Sequence, residues 1–228
     1  VILGFMAEIS PKGRYVVGKS ASGAGLTATV VRDEYLRGWS LEAGAMVLAN
    51  KGLVCIDELE KMDPQDRSSM HEAMEQQTIT ISKANVQATL RAETSVLAAA
   101  NPKFGRFDPY QAVAQQIDLP PTLINRFDVI FTLRDIPDKE KDRMIAMHVI
   151  QEHTKEGKKM VIDRDLFRKY VAYAKQKVKP KISKEAAEEI ESFYVELRNK
   201  PVSADSELKP IPISARQLQA LIRMSEAS

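Results

Sequence analysis

Leu53-Val-Cys-Ile-Asp-Glu58 is the stretch of sequence that decides the fold. Its first four residues form a continuous apolar run of strand length, which is typical of a strand covered on both faces. Asp57 and Glu58 then lie at the carboxyl end of that strand, the edge at which open α/β sheets bind ligands. Magnesium prefers oxygen ligands, so we assign Asp57 to a magnesium ion and Glu58 to the water that attacks a terminal phosphate. An acidic turn after a strand is the alternative at this point.

Apolar strands alternate with helices around this stretch. In chain order the sequence predicts a helix from Ile2, a strand at 14–17, helices at 41–49 and 63–77, and strands at 94–100 and 129–133. Period-2 alternation on both sides of Lys83-Ala-Asn85 predicts a β-hairpin over residues 78–90. Such alternation of helices with apolar strands predicts an α/β fold with a mostly parallel sheet.

After Pro137 the sequence predicts helices only. They cover residues 140–153, 165–177, 184–199 and a segment that starts at the capping-box pattern Ser214-Ala-Arg-Gln217. We therefore predict two domains, an α/β core over residues 1–136 and a small all-α lid over residues 137–228.

Two polar residues support a catalytic role for the acidic pair. Asn101 follows the predicted strand 94–100, so in a parallel sheet its amide lies beside the pair and can hold either the attacking water or the terminal phosphate. Arg126 precedes the predicted strand 129–133 on a loop, from which it can stabilise a transition state at a neighbouring subunit. An ordinary Asn-Pro turn and a surface salt bridge are the respective alternatives.

Composition limits the function classes. The 228 residues carry a net charge of +2, so any nucleic-acid contact must come from a local patch. The single cysteine, Cys55, excludes an internal disulfide framework, and the sequence has no run of about 18 apolar residues that would span a membrane. Neither His71-Glu-Ala-Met-Glu75 nor the pair His148 and His153 has the spacing of a zinc site.

Gly13-Arg-Tyr-Val-Val-Gly-Lys-Ser20 matches the phosphate-loop pattern G-x-x-x-x-G-K-S letter for letter. We do not interpret it as a phosphate loop. The segment before it has a helical pattern where a strand is needed, its interior consists of residues that favour strands, and small residues follow it where a helix should start. We therefore expect the groups that hold the β- and γ-phosphates to lie outside this segment.

Seven motifs, in the same order and over nearly the whole chain, resemble the minichromosome maintenance helicases. They are Gly18-Lys-Ser-Ala-Ser-Gly-Ala-Gly-Leu-Thr-Ala28, Leu41-Glu-Ala-Gly-Ala45, Ile56-Asp-Glu-Leu-Glu-Lys-Met62, His71-Glu-Ala-Met-Glu-Gln-Gln77, Ala100-Asn-Pro-Lys-Phe-Gly-Arg106, Leu119-Pro-Pro-Thr-Leu-Ile-Asn-Arg-Phe-Asp128 and Ile213-Ser-Ala-Arg-Gln-Leu218. The compact form is more similar to the archaeal members of that family than to the eukaryotic ones.

The resemblance implies an AAA+ core of a replicative DNA helicase that uses ATP and Mg2+ and works as a ring, usually a hexamer. Asp57 and Glu58 match the Walker B acids, and Asn101 matches the first sensor. Arg126 matches the arginine finger and Arg216 the second sensor, which in this family acts across the subunit interface.

The resemblance also implies contacts with single- and double-stranded DNA. Lys83 matches the tip of the pre-sensor hairpin, which faces the central channel and contacts the DNA backbone. Arg37 and Trp39 lie in residues 31–41, which match a second channel loop called the helix-2 insert. A solvated turn lysine and a core tryptophan are the alternatives. Other implied partners are further copies of the chain and other replication proteins, with no membrane, in the cytoplasm and nucleoid of an archaeon or in a eukaryotic nucleus.

The family's own phosphate loop, of the form G-D-P-G-T-A-K-S, is expected directly before Val1, and its amino-terminal DNA-binding and carboxyl-terminal winged-helix domains are expected outside this sequence. The first hypothesis is therefore the motor segment of a helicase. The second is an assembly or DNA-contacting module that is inactive alone, because it does not bind ATP without that loop. A third is a different AAA+ remodeller, such as a chelatase-like or transcription-activator ATPase.

Overall fold

The computed structural model describes residues 1–19, 23–33, 38–83, 85–108, 111, 113–134, 136–153, 162–199 and 215–227. Up to residue 98 the elements are α1 (Ile2–Ile9), β1 (Arg14–Val17), α2 (Gly23–Leu26), β2 (Ala28–Asp33), β3 (Gly38–Ala43), α3 (Ala45–Leu48), β4 (Leu53–Asp57), a 3-10 turn (Leu59–Lys61), α4 (Pro64–Gln76), β5 (Thr78–Lys83), β6 (Val86–Arg91) and β7 (Ser95–Ala98). There follow a second 3-10 turn (Val113–Gln116), α5 (Pro121–Ile124), α6 (Lys139–His153), α7 (Arg164–Lys177), α8 (Lys184–Asn199) and α9 (Ala215–Ala227).

A parallel sheet in the order β1-β4-β7 forms the centre of the α/β core. β4 is the middle strand, and Val54, Cys55 and Ile56 have no exposed surface. Because helix α1 packs against β4, the apolar run is enclosed as the sequence predicts. Burial raises the pKa of the Cys55 thiol, so this cysteine stays protonated and unreactive.

Two antiparallel hairpins accompany the sheet. The predicted hairpin over residues 78–90 is confirmed as β5–β6, whose register pairs Lys83 with Val86. Ile79 and Ile81 on β5 are buried, while Thr80 between them is exposed, as period-2 alternation requires. The second hairpin pairs β2 with β3, and Trp39 lies opposite Arg32.

The predicted helix over residues 41–49 is wrong at its start. β3 continues to Ala43, and the helix α3 begins only at Ala45. Gly44 separates the two elements: its N–H donates to the Thr27 carbonyl oxygen at 2.8 Å, and a Cβ there would lie 2.6 Å from the Leu26 carbonyl carbon. Such close backbone approach needs glycine, and pairing with β2 overrides the local helical pattern.

The strand predicted at 129–133 is also wrong, because residues 129–134 form no ladder with any described strand. Phe131 and Leu133 are 84% and 85% exposed. An apolar run becomes a strand only when another strand supplies its backbone partners, and the sequence pattern does not report that partner.

The chain divides into two compact units, residues 1–120 with 132–176, and residues 121–131 with 177–228. In the second unit α8 packs against α9, and the helical character after residue 137 is confirmed for the described residues. A boundary at 136/137 stays a prediction. Every helix in the described ranges is too short or too polar to cross a bilayer.

Candidate active site

Asp57 is the last residue of β4, and both of its carboxylate oxygens are held. The Tyr15 hydroxyl donates to Oδ2 at 2.8 Å, and the Glu58 backbone N–H donates to Oδ1 at 3.0 Å. Tyr15 is in register with Cys55, two residues before Asp57, so the phenol and the carboxylate lie on the same face of the sheet. The hydrogen bond to Asp57 raises the pKa of Tyr15, because a neutral phenol can donate and a phenolate cannot.

Glu58 has a left-handed backbone, with φ 53° and ψ 46°. This conformation is uncommon outside glycine and is typical of strained functional turns. Gly18 makes room for the turn: its N–H donates to the Asp57 carbonyl oxygen at 2.7 Å, and a Cβ at Gly18 would come within 2.4 Å of the Glu58 carbonyl oxygen. The turn therefore carries the Glu58 carboxylate out of the line of the strand.

The Glu58 carboxylate forms an ion pair with Lys61, with 2.5 Å between Oε1 and Nζ. The hydrogen bond to Glu58 raises the pKa of Lys61, and this effect outweighs the opposing effect of partial burial. The pair joins positions i and i+3 of a short turn, and both side chains keep access to solvent. A water molecule can therefore reach the carboxylate.

Asn101 is joined to the same turn through Glu60. Its side-chain Nδ2 donates to Glu60 Oε1 at 3.1 Å, and its backbone N–H donates to Oε2 at 3.2 Å. Asn101 follows β7 by three residues rather than ending it. Glu60 thus holds Asn101 at the turn that follows the acidic pair, and no sequence pattern pointed to Glu60.

The donor set of this edge suits magnesium in one respect. Asp57 is half-exposed, and magnesium takes one or two protein carboxylates and completes its shell with water and phosphate oxygens. No cluster of three or more His, Cys, Asp or Glu side chains suited to a metal ion occurs among the described residues. An ion here would consequently take most of its ligands from water and nucleotide phosphates.

Arg126 and Arg216 belong to the second compact unit. Arg126 follows α5, with its N–H donating to the Leu123 carbonyl oxygen at 3.0 Å, and Arg216 is the second residue of α9. Both side chains are half-buried. Nearby, Arg223 makes a two-pronged ion pair with Asp128, at 2.6 and 2.9 Å, which raises the pKa of Arg223.

The residues predicted to meet DNA are exposed where they are described. Lys83 ends β5 beside the hairpin turn, and Trp39 on β3 is 55% exposed, so Trp39 is not a core residue. Arg37 lies outside the described residues. Exposure permits the predicted contacts and leaves their roles as predictions.

Comparison with known proteins identifies the family of this chain. The family profile described as the MCM P-loop domain matches residues 1–153, and the one described as the MCM AAA-lid domain matches residues 165–228. The chain belongs to the minichromosome maintenance (MCM) family. The parallel sheet with its hairpins is the MCM AAA+ core, the carboxyl-terminal helices are the lid, and a different AAA+ remodeller is excluded.

MCM proteins from several organisms align with almost all of the chain. It is 48% identical over 226 residues to the minichromosome maintenance protein MCM of Saccharolobus solfataricus, covering 99% of this chain and 32% of that protein. It is 44% identical over 229 residues to the DNA replication licensing factor MCM4 of Arabidopsis thaliana, covering 99% and 27%. It is 43% identical over 237 residues to the DNA replication licensing factor mcm5-A of Xenopus laevis, covering 99% and 32%. The chain spans about a third of the length of these curated relatives, or less.

Within this MCM chain, the variable positions of the pattern Gly13–Ser20 form a strand, as their residue types predict. Its four variable positions form β1, which pairs with β4 from Arg14 opposite Val54 to Val17 opposite Asp57. A phosphate cradle needs backbone amides that point at the ligand, whereas the amides of β1 lie in a sheet ladder. MCM membership implies ATP and Mg2+ for the family generally, but residues 14–17 do not hold the phosphates.

Proposed function

We propose that this chain is the motor segment of an ATP-dependent replicative helicase of the archaeal type, which unwinds duplex DNA as a hexameric ring. The observation that carries the proposal is the acidic edge of an MCM core: Asp57 and Glu58 lie at the carboxyl end of β4, and Asn101 is hydrogen-bonded to Glu60 in the turn that follows. That edge is where α/β sheets bind ligands, and its groups match the needs of phosphoryl transfer to water.

Each residue of the edge has a distinct role in the proposal. Asp57 would hold the magnesium ion that accompanies ATP, which would supply positive charge beside the phosphate oxygens. Glu58 accepts a proton from the attacking water as the water oxygen bonds to the terminal phosphorus. The bond from that phosphorus to its bridging oxygen breaks, and ADP leaves. A neighbouring subunit contributes Arg126 and Arg216, whose charges stabilise the transition state.

DNA is the second ligand of the proposed motor. Lys83 contacts the phosphate backbone from the tip of β5–β6, and Arg37 and Trp39 contact it from the helix-2 insert. Backbone contacts of this kind do not depend on sequence and suit a protein that moves along DNA. They are also compatible with a net charge of only +2, because the positive charge is needed only locally.

The test is DNA-stimulated ATPase activity of the full-length protein with Glu58→Gln. Loss of a positioned general base lowers turnover by about 100-fold or more, while ATP binding stays intact. Glu188→Gln, at an exposed site on α8, is the matched control and keeps wild-type turnover. Unchanged turnover of Glu58→Gln would remove Glu58 from the mechanism.

One observation favours a second proposal for the 228 residues by themselves. Because residues 14–17 form β1, they do not grip phosphates, and we propose that this chain alone is an assembly or DNA-contacting module without ATPase activity. A calorimetric titration of the isolated chain with Mg-ATP is expected to give no binding at micromolar concentrations. Micromolar binding would contradict this proposal and reopen the interpretation of Gly13–Ser20.

A further inference from the structure

The carboxylate of Glu60 accepts two hydrogen bonds from Asn101. The side-chain amide nitrogen and the backbone N–H of Asn101 each donate to a different oxygen of the same carboxylate, at 3.1 and 3.2 Å. An ionised carboxylate has no proton to give, so only the nitrogen end of the asparagine amide can face it. The oxygen and nitrogen of this amide, which geometry alone does not distinguish, are therefore assigned by chemistry.

This assignment has a consequence for the other end of the amide. With one N–H of Nδ2 held by Glu60, Asn101 has two groups left for a ligand, namely the carbonyl oxygen Oδ1 and the second N–H of Nδ2. Oδ1 accepts hydrogen bonds and cannot donate them. A water molecule can donate to it, whereas a phosphate oxygen has no proton to offer. The carboxylate of Glu60 therefore fixes Oδ1 as an acceptor suited to water, while the second N–H of Nδ2 can donate to either water or a phosphate oxygen.

Glu60 is itself held in place. It lies in the 3-10 turn Leu59–Lys61, where the Leu59 N–H donates to the Ala99 carbonyl oxygen at 3.0 Å and the Leu59 side chain is 2% exposed. Arg67 on α4 donates through Nη2 to the Glu60 carbonyl oxygen. The backbone of the turn is thus held by the residue after β7 and by a side chain of α4, and the Glu60 carboxylate needs only its own side-chain torsions to hold Asn101.

We infer that Glu60 is a positioning residue, which orients Asn101 so that Oδ1 accepts a hydrogen bond from the attacking water. The inference rests on the proposed ATPase function and deepens it. Glu60 touches neither ATP nor water in this arrangement and acts only through Asn101.

Glu60→Gln tests the inference in the full-length protein, because glutamine keeps the side-chain length and adds two N–H donors. When the new amide nitrogen faces Asn101, the asparagine must turn its oxygen towards it and present Nδ2 to the water. We expect kcat to fall by about tenfold or more, with KM for ATP within about twofold of wild type. Asn101→Ala is expected to fall at least as far, and adding Glu60→Gln to it changes nothing further.

A paired exchange provides the readout that a merely structural role would not move. Asn101→Asp sets two carboxylates against each other and is expected to lose activity. In the double variant Glu60→Gln, Asn101→Asp the glutamine amide donates to one carboxylate oxygen, and the other oxygen accepts from the water. We expect kcat of this double variant to exceed that of either single variant.

The outcomes separate the inference from the function on which it rests. If Asn101→Ala lowers kcat but Glu60→Gln does not, or if the paired exchange shows no rescue, Glu60 is not a positioning residue and the proposed function stands. If Asn101→Ala itself has wild-type kcat, Asn101 has no role in hydrolysis. Rescue requires a folded protein, so it also answers any concern that Glu60→Gln disturbs the fold.

Discussion

The acidic edge and the hairpin β5–β6 lie in the same compact unit, yet they are built in different ways. At the edge, a strand with a fully buried centre is followed by side chains that hydrogen-bond to one another: Tyr15 donates to Asp57, and Asn101 donates to Glu60. In the hairpin, Ile79 and Ile81 anchor one face, while Lys83 stands exposed beside the turn. The difference indicates that the proposed catalysis at the edge depends on the exact positions of its side chains. The proposed DNA contact at the hairpin depends more on the charge of Lys83 and on how far it extends.

The largest difference is expected in stability. Ile56→Ala removes a side chain with no exposed surface from the middle strand and should lower the free energy of unfolding by about 2–5 kcal/mol. Val86→Ala, at a half-buried position in β6, should lower it by about 1 kcal/mol or less. Urea unfolding followed by circular dichroism measures both. Equal losses would contradict the idea that the edge depends more on its buried strand.

The next effect concerns the hairpin. Lys83→Ala removes one backbone contact and should reduce the slope of log affinity against log salt concentration by about 1, for every DNA sequence alike. Its ATPase rate without DNA should remain that of the wild type. Lys139→Ala, at the exposed start of α6, is the matched control in the same fluorescence-anisotropy titrations. A change in the ATPase rate without DNA would show that the hairpin contributes to hydrolysis at the edge as well as to DNA binding.

A smaller effect is expected from Tyr15→Phe, which removes the hydroxyl that donates to Asp57. Second ligand shells tune metal affinity, and for this solvent-accessible pair we expect the Mg2+ concentration at half-maximal ATPase to rise by about tenfold at most. Saturating Mg2+ should restore wild-type kcat. If kcat stays low at saturation, Tyr15 acts on more than the Asp57 carboxylate.

The smallest effect is expected from the ion pair of Lys61 with Glu58. The pKa of Lys61 is raised in the folded protein. The contribution of the ion pair to stability is therefore complete below the unfolded value of Lys61 near 10.5, and it is lost as pH rises through the higher folded value. Lys61→Met should therefore lower the Tm slightly at pH 8, and the difference from wild type should vanish at strongly alkaline pH. A difference that persists there would have a cause other than charge.

The same contrast explains what the sequence could predict. β4 and the hairpin carry their own signals, an apolar run and a period of two, so local pattern was sufficient. Residues 41–49 and 129–133 carried equally clear patterns, but their outcome depends on close approach at Gly44 and on a missing backbone ladder, which are properties of distant chain segments. Tertiary contacts override local preference in both places.

In the candidate site, too, some residues could be predicted from local sequence and others could not. Asp57, Glu58 and Asn101 are found from position, because residues after parallel strands share one edge. Tyr15 and Glu60 act through side-chain hydrogen bonds across 42 and 41 residues of sequence, and no spacing rule reports such bonds. The register of β1 against β4 is the one signal that could have pointed to Tyr15, and it becomes visible only in the structure.

The left-handed backbone of Glu58 has a consequence for how this protein can evolve. Glycine suits that conformation better by about 1 kcal/mol, so Glu58→Gly relieves strain and removes the proposed base in the same step. Selection for stability therefore favours glycine at this position, whereas selection for turnover favours glutamate. A glutamate that persists here across an evolving population is a sign that turnover is being selected.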